Sequence, residues 1–298
     1  MRNLPALGAS LYVPTTHPDL AAIAAGKKLA DVRSIIFCTE DAVNEADLGA
    51  ALVNLGQSLD HLQPSEGRYR FVRARNPGVL RQVLSMPGAE RLDGFVLPKV
   101  TSDNIDIYMN HLEREGSPIQ WVMPTLETRE VFNDASMQDL LRRMDRARWR
   151  ERILSLRIGG NDLLSLLRMR RPRGRTIYET PIGQVIARLA TTFIPYGFSI
   201  AAPVFEHLDD VETLSREIEE DLNYGLLGKT AIHPSQVPLI ERHYRVRQQD
   251  VETAIRILHH DAPGVFKLHQ SMCEPATHRP WAHSVLEAAR CFGSVNAA

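Results

Sequence analysis

Eight short apolar runs, separated by seven longer stretches with helical periodicity, constrain the fold of this chain more than any other feature of its sequence. The runs cover residues 8–14, 34–41, 69–75, 94–100, 119–127, 153–160, 198–205 and 226–233. They are continuous rather than alternating, which is typical of parallel strands buried on both faces. Helical patterns fill the intervals at residues 19–29, 45–59, 79–86, 103–115, 137–150, 181–196 and 209–222. This alternation, with eight predicted strands, predicts an α/β chain closed as a (β/α)8 TIM barrel.

A doubly wound open sheet is the alternative architecture for such a pattern. That fold would be favoured by a glycine-rich phosphate turn after the first strand, whereas residues 14–18 read Pro-Thr-Thr-His-Pro. Beyond residue 240 the chain shows two more helical patterns, at residues 251–258 and 281–291. We therefore predict a barrel over residues 1–240 and a C-terminal helical extension over residues 241–298.

Composition narrows the class of protein without identifying it. The chain has 298 residues, 44% of them hydrophobic, and a formal net charge of −1, which gives no reason to expect nucleic acid or a membrane as partner. The cysteines Cys38, Cys273 and Cys291 form no CxxC pair, which fits a reducing compartment. We read neither a signal peptide nor a membrane-spanning run, so the expected location is the cytoplasm.

Charged side chains end the predicted strands, one strand after another. They are Glu40 and Asp41, Arg73 and Arg75, Lys99, Glu127, Asp162, Glu206 and His207, and Lys229 with His233. The active site of a barrel gathers at the carboxyl ends of its strands, and buried charges are costly unless they are paired or bind a metal. The pattern therefore predicts one polar pocket that holds several acids and several bases.

Glu127 and Asp162 are the predicted metal ligands. Two carboxylates from neighbouring strand ends, completed by water and substrate oxygens, suit Mg²⁺, and the glycines Gly159 and Gly160 would let the backbone approach a ligand. The alternative is structural: Glu127 would pair with an arginine, and Asp162 would cap the helix that follows it.

Arg73 is the predicted partner of a substrate carboxylate or of a developing enolate oxygen, or else it pairs with Glu40 or Asp41. These two acids could also hold metal-bound water. Lys99 and Lys229 are electrostatic groups, structural cations or Schiff-base lysines.

Several motifs in a fixed order carry a resemblance to a known family over roughly residues 10–292. The motifs are Leu11-Tyr12-Val13-Pro14, Glu40-Asp41-Ala42-Val43, Val72-Arg73, Leu97-Pro98-Lys99-Val100, Glu127, Gly159-x-x-Asp162-Leu163 and Gly228-Lys229-x-x-Ile232-His233-Pro234-x-Gln236. The chain resembles the HpcH/HpaI aldolase and citrate lyase beta-subunit family of the phosphoenolpyruvate/pyruvate superfamily. Within that family it looks most like the divergent carbon–carbon bond lyase branch associated with tellurium-resistance and stress gene clusters.

The resemblance implies a lyase dependent on Mg²⁺ (or Mn²⁺) that forms a homotrimer or a hexamer. The family's metal ligands align with Glu127 and Asp162, and its substrate-binding arginine aligns with Arg73. Glu40, Asp41 and Lys99 are also expected to contact the substrate. A C-terminal lid that packs on a neighbouring subunit would supply an acid–base residue, which aligns with Glu274. The alternative for Glu274 is a solvated position in the tail.

Three departures from the family pattern bear on the substrate. Cys38 stands where citrate-lyase-like members have an acid, the usual lysine after the acidic motif is replaced by Asn-Glu-Ala-Asp at residues 44–47, and residues 168–175 contain five arginines. These changes leave the metal ligands in place but weaken the expectation of an acyl-CoA substrate. The arginine-rich segment either holds a phosphate group or is a solvated basic loop.

The expected reaction is cleavage or formation of a carbon–carbon bond next to a carboxylate, through an enolate of a 2-oxo acid or a related compound. The expected substrate is a small carboxylate, with or without a phosphate or CoA group. Two rival functions remain open: a metal-free Schiff-base aldolase that uses Lys99 or Lys229, and a non-catalytic barrel that binds a metabolite or scaffolds partners in a stress response.

Overall fold

A computed structural model describes residues 6–63, 67–114 and 121–296 of the chain. Eight parallel strands form one sheet in the order β7-β6-β5-β4-β3-β2-β1-β8. Their bounds are β1 Ala9–Pro14, β2 Ser34–Cys38, β3 Tyr69–Arg73, β4 Gly94–Leu97, β5 Trp121–Leu126, β6 Leu156–Ile158, β7 Ile200–Ala201 and β8 Lys229–Ala231. A parallel bridge between Ala202 and Lys229 joins the last strands of this order. The predicted (β/α)8 barrel is confirmed.

Helices follow the strands, as the sequence pattern predicts. They are α1 Leu20–Ala24, α2 Leu48–Leu59, α3 Pro77–Leu84, α4 Ile105–Arg114, α5 Asp134–Asp145, α6 Gly160–Leu166, α7 Pro181–Phe193 and α8 Val211–Asn223, and α9 Gln236–His243 follows the last barrel strand. Side-chain caps fix several starts: Asn76 accepts a hydrogen bond from the Val79 amide at the start of α3, and Thr180 accepts one from Ile182 at the start of α7.

Several predicted bounds were wrong for identifiable reasons. Helix α1 is shorter than residues 19–29, because Gly26 adopts φ +69° and ends the helical conformation. The sixth predicted strand, 153–160, overlaps α6, which already begins at Gly160. Residues 119 and 120 of the predicted fifth strand lie outside the described residues.

Inward-facing side chains fill the barrel below its carboxyl-terminal mouth. The cluster comprises Leu7, Ile36, Phe71, Val96, Met123 and Leu154, with Tyr12, Tyr69 and Trp121 packed against it. The cluster makes the lower barrel a packed core, so polar chemistry is confined to the strand ends.

Residues Pro238–Ala298 form a compact unit distinct from Met1–Val237. Within it, β9 Val246–Arg247 pairs in parallel with β12 Ser294–Val295, and β10 Phe266–Leu268 forms a hairpin with β11 Ser271–Cys273. Helices α10 Gln248–Leu258 and α11 Pro275–Phe292 pack around Ala254, Ile257, Cys273 and Ala282. Helix α11 starts six residues before the predicted start at residue 281, since Pro275 occupies its first turn. The division at residue 240 and the lid on a neighbouring subunit stay predictions.

No helix within the described ranges is both long and apolar enough to cross a bilayer.

Candidate active site

Four acids and two bases meet at the carboxyl ends of β2 to β6. Glu40 and Asp41 follow β2, Arg73 ends β3, Lys99 follows β4, Glu127 follows β5, and Asp162 lies in the first turn of α6. We name this set the acidic centre. The structure therefore brings together all six residues that the sequence predicted for the barrel part of the site.

Glu127 lies at the bottom of the acidic centre, and its residue exposure is only 2%. Its carboxylate accepts hydrogen bonds from Arg73 Nη2 at 3.0 and 3.2 Å and from the Lys99 backbone amide at 2.8 Å. A Cβ added at Gly159 would overlap the Glu127 carboxylate, so only glycine fits there. The predicted arginine pair of Glu127 is thus real, and it lies inside the site.

Arg73 links three of the acids. Besides Glu127, its Nη2 contacts Glu40 at 2.6 Å and Asp41 at 3.0 Å, so both of the alternative salt bridges form together. Its Nε is buried and has no hydrogen-bond partner among the described residues.

Lys99 connects Asp162 to the acidic centre. Its half-exposed side chain bonds Glu40, and its Nζ lies 3.7 Å from both Asp41 and Asp162. The backbone of Lys99 adopts φ +50°, a left-handed conformation that is strained for a lysine. This conformation accompanies the donation of the Lys99 amide to Glu127.

Asp162 is not the cap of helix α6. The helix begins at Gly160, its N-cap residue is Gly159, and Asp162 sits in the first turn with 29% of its side chain exposed. The predicted capping alternative is wrong, because the two glycines allow the helix to start earlier than the sequence pattern suggested.

Burial governs the protonation of the acids. Burial, opposed by Arg73 and assisted by the charge of Asp162, raises the pKa of Glu127 to about 7. Burial and then the charge of Asp41 raise the pKa of Asp162. Burial and a neighbouring carboxylate therefore favour the protonated forms of Glu127 and Asp162, despite the two cations beside them.

The charge balance of the acidic centre fits a divalent cation. Four carboxylates against one guanidinium and one ammonium leave an excess of two negative charges, which one Mg²⁺ or Mn²⁺ would neutralise. No group of three or more His, Cys, Asp or Glu side chains in the described ranges is arranged to hold a metal. Two carboxylates suffice for Mg²⁺, since this ion keeps water and substrate oxygens as its other ligands.

Lys229 lies away from the acidic centre, at the beginning of β8 rather than at its end. Its ammonium is completely buried and bonds Glu217 at 3.0 Å and Asp221 at 2.7 Å. Arg171 also pairs with Glu217, and the Tyr178 hydroxyl donates to Asp221 at 2.7 Å. We call these five residues the buried ionic network, and they leave Lys229 no role at the substrate.

The arginine-rich segment 168–175 is held by ion pairs. Arg170 lies 3.2 Å from Glu206 and Arg173 lies 3.0 Å from Asp209, while Arg171 belongs to the buried ionic network. Glu206 also accepts a hydrogen bond from Asn161, next to Asp162. These ion pairs account for Arg170, Arg171 and Arg173 without a bound phosphate group. Phosphate binding by the segment stays a prediction.

Glu274 is the N-cap residue of α11 in the C-terminal unit. Its carboxylate accepts a hydrogen bond from Thr277 at 3.1 Å, and its amide donates to His278. The acid–base role that the resemblance assigns to Glu274 stays a prediction.

Tyr12 and Arg157 are polar residues of the barrel interior that the sequence reasoning missed. The Arg157 guanidinium lies 5.5 Å from the Tyr12 ring centroid, and the Arg73 guanidinium lies 5.9 Å from it. The available signal was an arginine in the middle of the otherwise apolar sixth strand, Leu156–Ile158.

Comparisons with known proteins agree with the observed fold. Residues 2–294 match a family described as C–C bond lyase of the TIM-barrel fold. The fold is similar to that of a citrate lyase from Burkholderia xenovorans LB400, with 19% identity, a TM-score of 0.74 and coverage of 99% of this chain and 94% of that one.

Two further solved structures share the fold. CitE from Mycobacterium tuberculosis, in complex with magnesium, acetoacetate and coenzyme A, is 21% identical with a TM-score of 0.69 over 97% of this chain and 99% of that one. The citrate lyase beta subunit of the same organism, complexed with oxaloacetate and magnesium, is 23% identical with a TM-score of 0.58 over 82% and 100%. A search of curated proteins gave no match.

Proposed function

Since the chain belongs to the C–C bond lyase family and is a carbon–carbon lyase, we propose that it cleaves or forms a bond next to a carboxylate with the help of a divalent metal. The proposed substrate is a 2-oxo acid or a related small carboxylate, and the reaction passes through its enolate. The observation that carries this proposal is the excess of two negative charges around the buried Glu127.

Glu127 and Asp162 would hold the metal, Mg²⁺ or Mn²⁺, which when bound supplies a Lewis acid for a substrate oxygen. Arg73 would bind the same end of the substrate, because its guanidinium lies 3.0 Å from the proposed metal ligand Glu127. Its guanidinium favours negative charge that develops on the enolate oxygen. Glu40 and Asp41, which follow the neighbouring strand β2, keep Arg73 in place.

Lys99 carries a positive charge at the mouth of the site. Burial opposes this charge, but the hydrogen bond to Glu40 and the surrounding acids hold the pKa of the ammonium well above its usual range. A protonated lysine is no nucleophile, so a Schiff base at Lys99 is disfavoured. We assign Lys99 to electrostatic binding of an anionic substrate.

The small carboxylates in the M. tuberculosis complexes, acetoacetate and oxaloacetate, support the proposed substrate class. We also propose that the protein works as a homo-oligomer, a trimer or a hexamer, in the cytoplasm. A CoA-linked or phosphorylated substrate remains part of the proposal, with the arginine-rich segment 168–175 as its natural contact.

Calorimetric titration with Mg²⁺ tests the metal site directly. The wild type should bind one ion with a saturable isotherm, and Glu127→Gln should lose that binding. Asp162→Asn should lose it as well while keeping its folded circular-dichroism spectrum. Glu90→Gln, a change of the same kind at an exposed position, is the matched control and should bind as the wild type does. Absence of saturable binding by the wild type would refute the metal-dependent mechanism.

Turnover assays separate the two aldolase mechanisms. Oxaloacetate, pyruvate with aldehydes, and acyl-CoAs should be screened with Mg²⁺, with and without EDTA. Turnover that EDTA abolishes supports the proposal. Covalent trapping of substrate by borohydride on Lys99 would instead establish a Schiff base.

A further inference from the structure

Lys99 brings two different groups into the acidic centre. Its backbone amide donates to Glu127 at 2.8 Å, while its ammonium bonds Glu40 and lies 3.7 Å from Asp162. Both contacts start from a residue in the left-handed conformation, with φ +50°. A lysine rarely adopts this conformation, and the conformation persists only where the surroundings hold it. The groups that hold the Lys99 backbone therefore also determine where its amide and its ammonium lie.

The conformation of Lys99 is fixed by the peptide groups on either side of its α carbon. The peptide group before the α carbon carries the amide that donates to Glu127. The peptide group after it is held at both edges. On one edge the Val100 amide donates to the Thr125 carbonyl of β5 at 3.1 Å. On the other edge the Lys99 carbonyl accepts a hydrogen bond from Asn104 Nδ2 at 2.8 Å. A rotation of either peptide group would break a hydrogen bond.

Asn104 uses both ends of its side-chain amide. Its Oδ1 accepts a hydrogen bond from the Thr101 amide at 2.9 Å, while its Nδ2 donates to the Lys99 carbonyl. The residue directly precedes α4, Ile105–Arg114, and a side-chain oxygen at such a place satisfies a free amide at the start of a helix. Capping of this kind needs only the oxygen. The nitrogen contacts the one residue whose amide and ammonium both enter the acidic centre.

We propose that Asn104 is a positioning residue of the lyase, which acts by fixing the carbonyl of Lys99. With that carbonyl in place, the Lys99 amide points at Glu127 and the ammonium reaches the other acids. This inference rests on the proposed function, in which Glu127 and Asp162 hold the metal. Groups that hydrogen-bond a metal ligand typically contribute about 10–100-fold to metal affinity or activity. Asn104 acts one bond further out, through the backbone of Lys99, so we expect an effect at the lower end of this range.

Asn104→Asp separates positioning from capping. A carboxylate keeps an oxygen for the Thr101 amide, and a negative charge is favourable at the start of a helix. The carboxylate has no donor for the Lys99 carbonyl. Its added charge would by itself attract a cation and tighten Mg²⁺ binding, whereas a loss of positioning weakens this binding, so the two effects have opposite signs. Ser102→Asp adds the same charge two residues away and is the matched control.

The NMR signal of the Lys99 amide tests the proposal without metal or substrate. The chain has five lysines, so labelling with ¹⁵N-lysine gives five amide signals, and Lys99→Arg identifies the signal of Lys99. The amides of Lys27, Lys28 and Lys229 donate to backbone carbonyls and serve as references. A hydrogen bond to a carboxylate is shorter and stronger than one to a carbonyl. The wild-type Lys99 signal should therefore lie downfield of the references, and Asn104→Asp should move it upfield and leave the references in place.

Two results of this measurement would overturn the proposal. One is a wild-type Lys99 signal no further downfield than the references, which needs no variant of Asn104 to fold. The other is a Lys99 signal that Asn104→Asp does not move.

Calorimetric titration with Mg²⁺ tests the consequence for the acidic centre. Asn104→Asp should bind Mg²⁺ about tenfold more weakly than the wild type, and Ser102→Asp should bind it at least as tightly as the wild type. Equal or tighter binding by Asn104→Asp would show a residue that only caps α4 and would overturn the positioning role. If the wild type binds no Mg²⁺, the proposed metal-dependent function fails instead, and the Lys99 amide signal still decides whether Asn104 holds Lys99.

Discussion

Replacing Glu127 by glutamine should make the metal-free protein more stable at pH 8, although the change removes one proposed metal ligand. The Glu127 carboxyl is almost completely buried, and burial raises its pKa from 4.5 to about 7. The folded protein therefore holds a proton on this group over a pH range in which the unfolded chain has released it. Glutamine imitates the protonated form and can still accept a hydrogen bond from Arg73.

The sign and the size follow from proton linkage. Because the folded-state pKa lies above the unfolded one, stability of the wild type is lost as pH rises from about 4.5 through about 7. A pKa difference of roughly 2.5, at about 1.4 kcal/mol each, corresponds to about 3 kcal/mol at pH 8. For a chain of this size that is a difference of roughly 5–10 °C in melting temperature. At pH 5 the two proteins should differ by only about 1 kcal/mol.

Urea denaturation with EDTA present, at pH 5 and pH 8, measures the difference in the free energy of unfolding. Glu90→Gln, at an exposed position, controls for the loss of one negative charge and should show no comparable pH dependence. Adding Mg²⁺ at pH 8 should stabilise the wild type and leave Glu127→Gln unchanged. A Glu127→Gln protein less stable than the wild type at pH 8, or a difference that does not vary with pH, would refute this reasoning.

Three other predictions follow from the same geometry. The apparent Mg²⁺ affinity should fall about tenfold per pH unit below pH 7, since a proton and the metal compete for Glu127. Calorimetry at pH 6 and pH 8 measures this change, and equal affinities at the two pH values would contradict the prediction. Gly159→Ala should abolish Mg²⁺ binding because its Cβ overlaps the Glu127 carboxylate, whereas Gly49→Ala in α2, with open space around it, should bind normally. Lys229→Met should destabilise the fold by about 3–5 kcal/mol in urea denaturation, because it leaves Glu217 with one cation fewer in the interior. An unchanged denaturation midpoint would show that the buried ionic network contributes no stability.

The architecture could be predicted because its signal is repeated eight times. Continuous apolar runs separated by helical patterns define a barrel even when single boundaries are wrong. The boundaries failed where backbone conformation decided them, as at Gly26 and Gly160. A glycine marks a possible turn in sequence, but whether the chain turns there depends on packing that the sequence does not display.

The acidic centre was predictable because charged residues directly after apolar runs have few structural explanations. The error at Lys229 has a simple origin: the apolar run 226–233 is longer than β8, so it does not reveal that the strand begins at Lys229. Tyr12 and Arg157 were missed for a different reason. The contact between them joins β1 to β6, which lie more than a hundred residues apart in sequence.

The buried ionic network has a consequence for how the sequence of this protein can change. Two acids and two cations balance one another out of contact with water, and Tyr178 completes their hydrogen bonds. Replacing one charged member alone leaves a buried charge without its partner. Replacing all of them by apolar residues of similar volume need not lower the stability of the fold. We therefore expect substitutions to occur together in the arginine-rich segment, α8 and β8. A chimera that receives segment 168–175 from a relative should also receive that relative's α8 and β8.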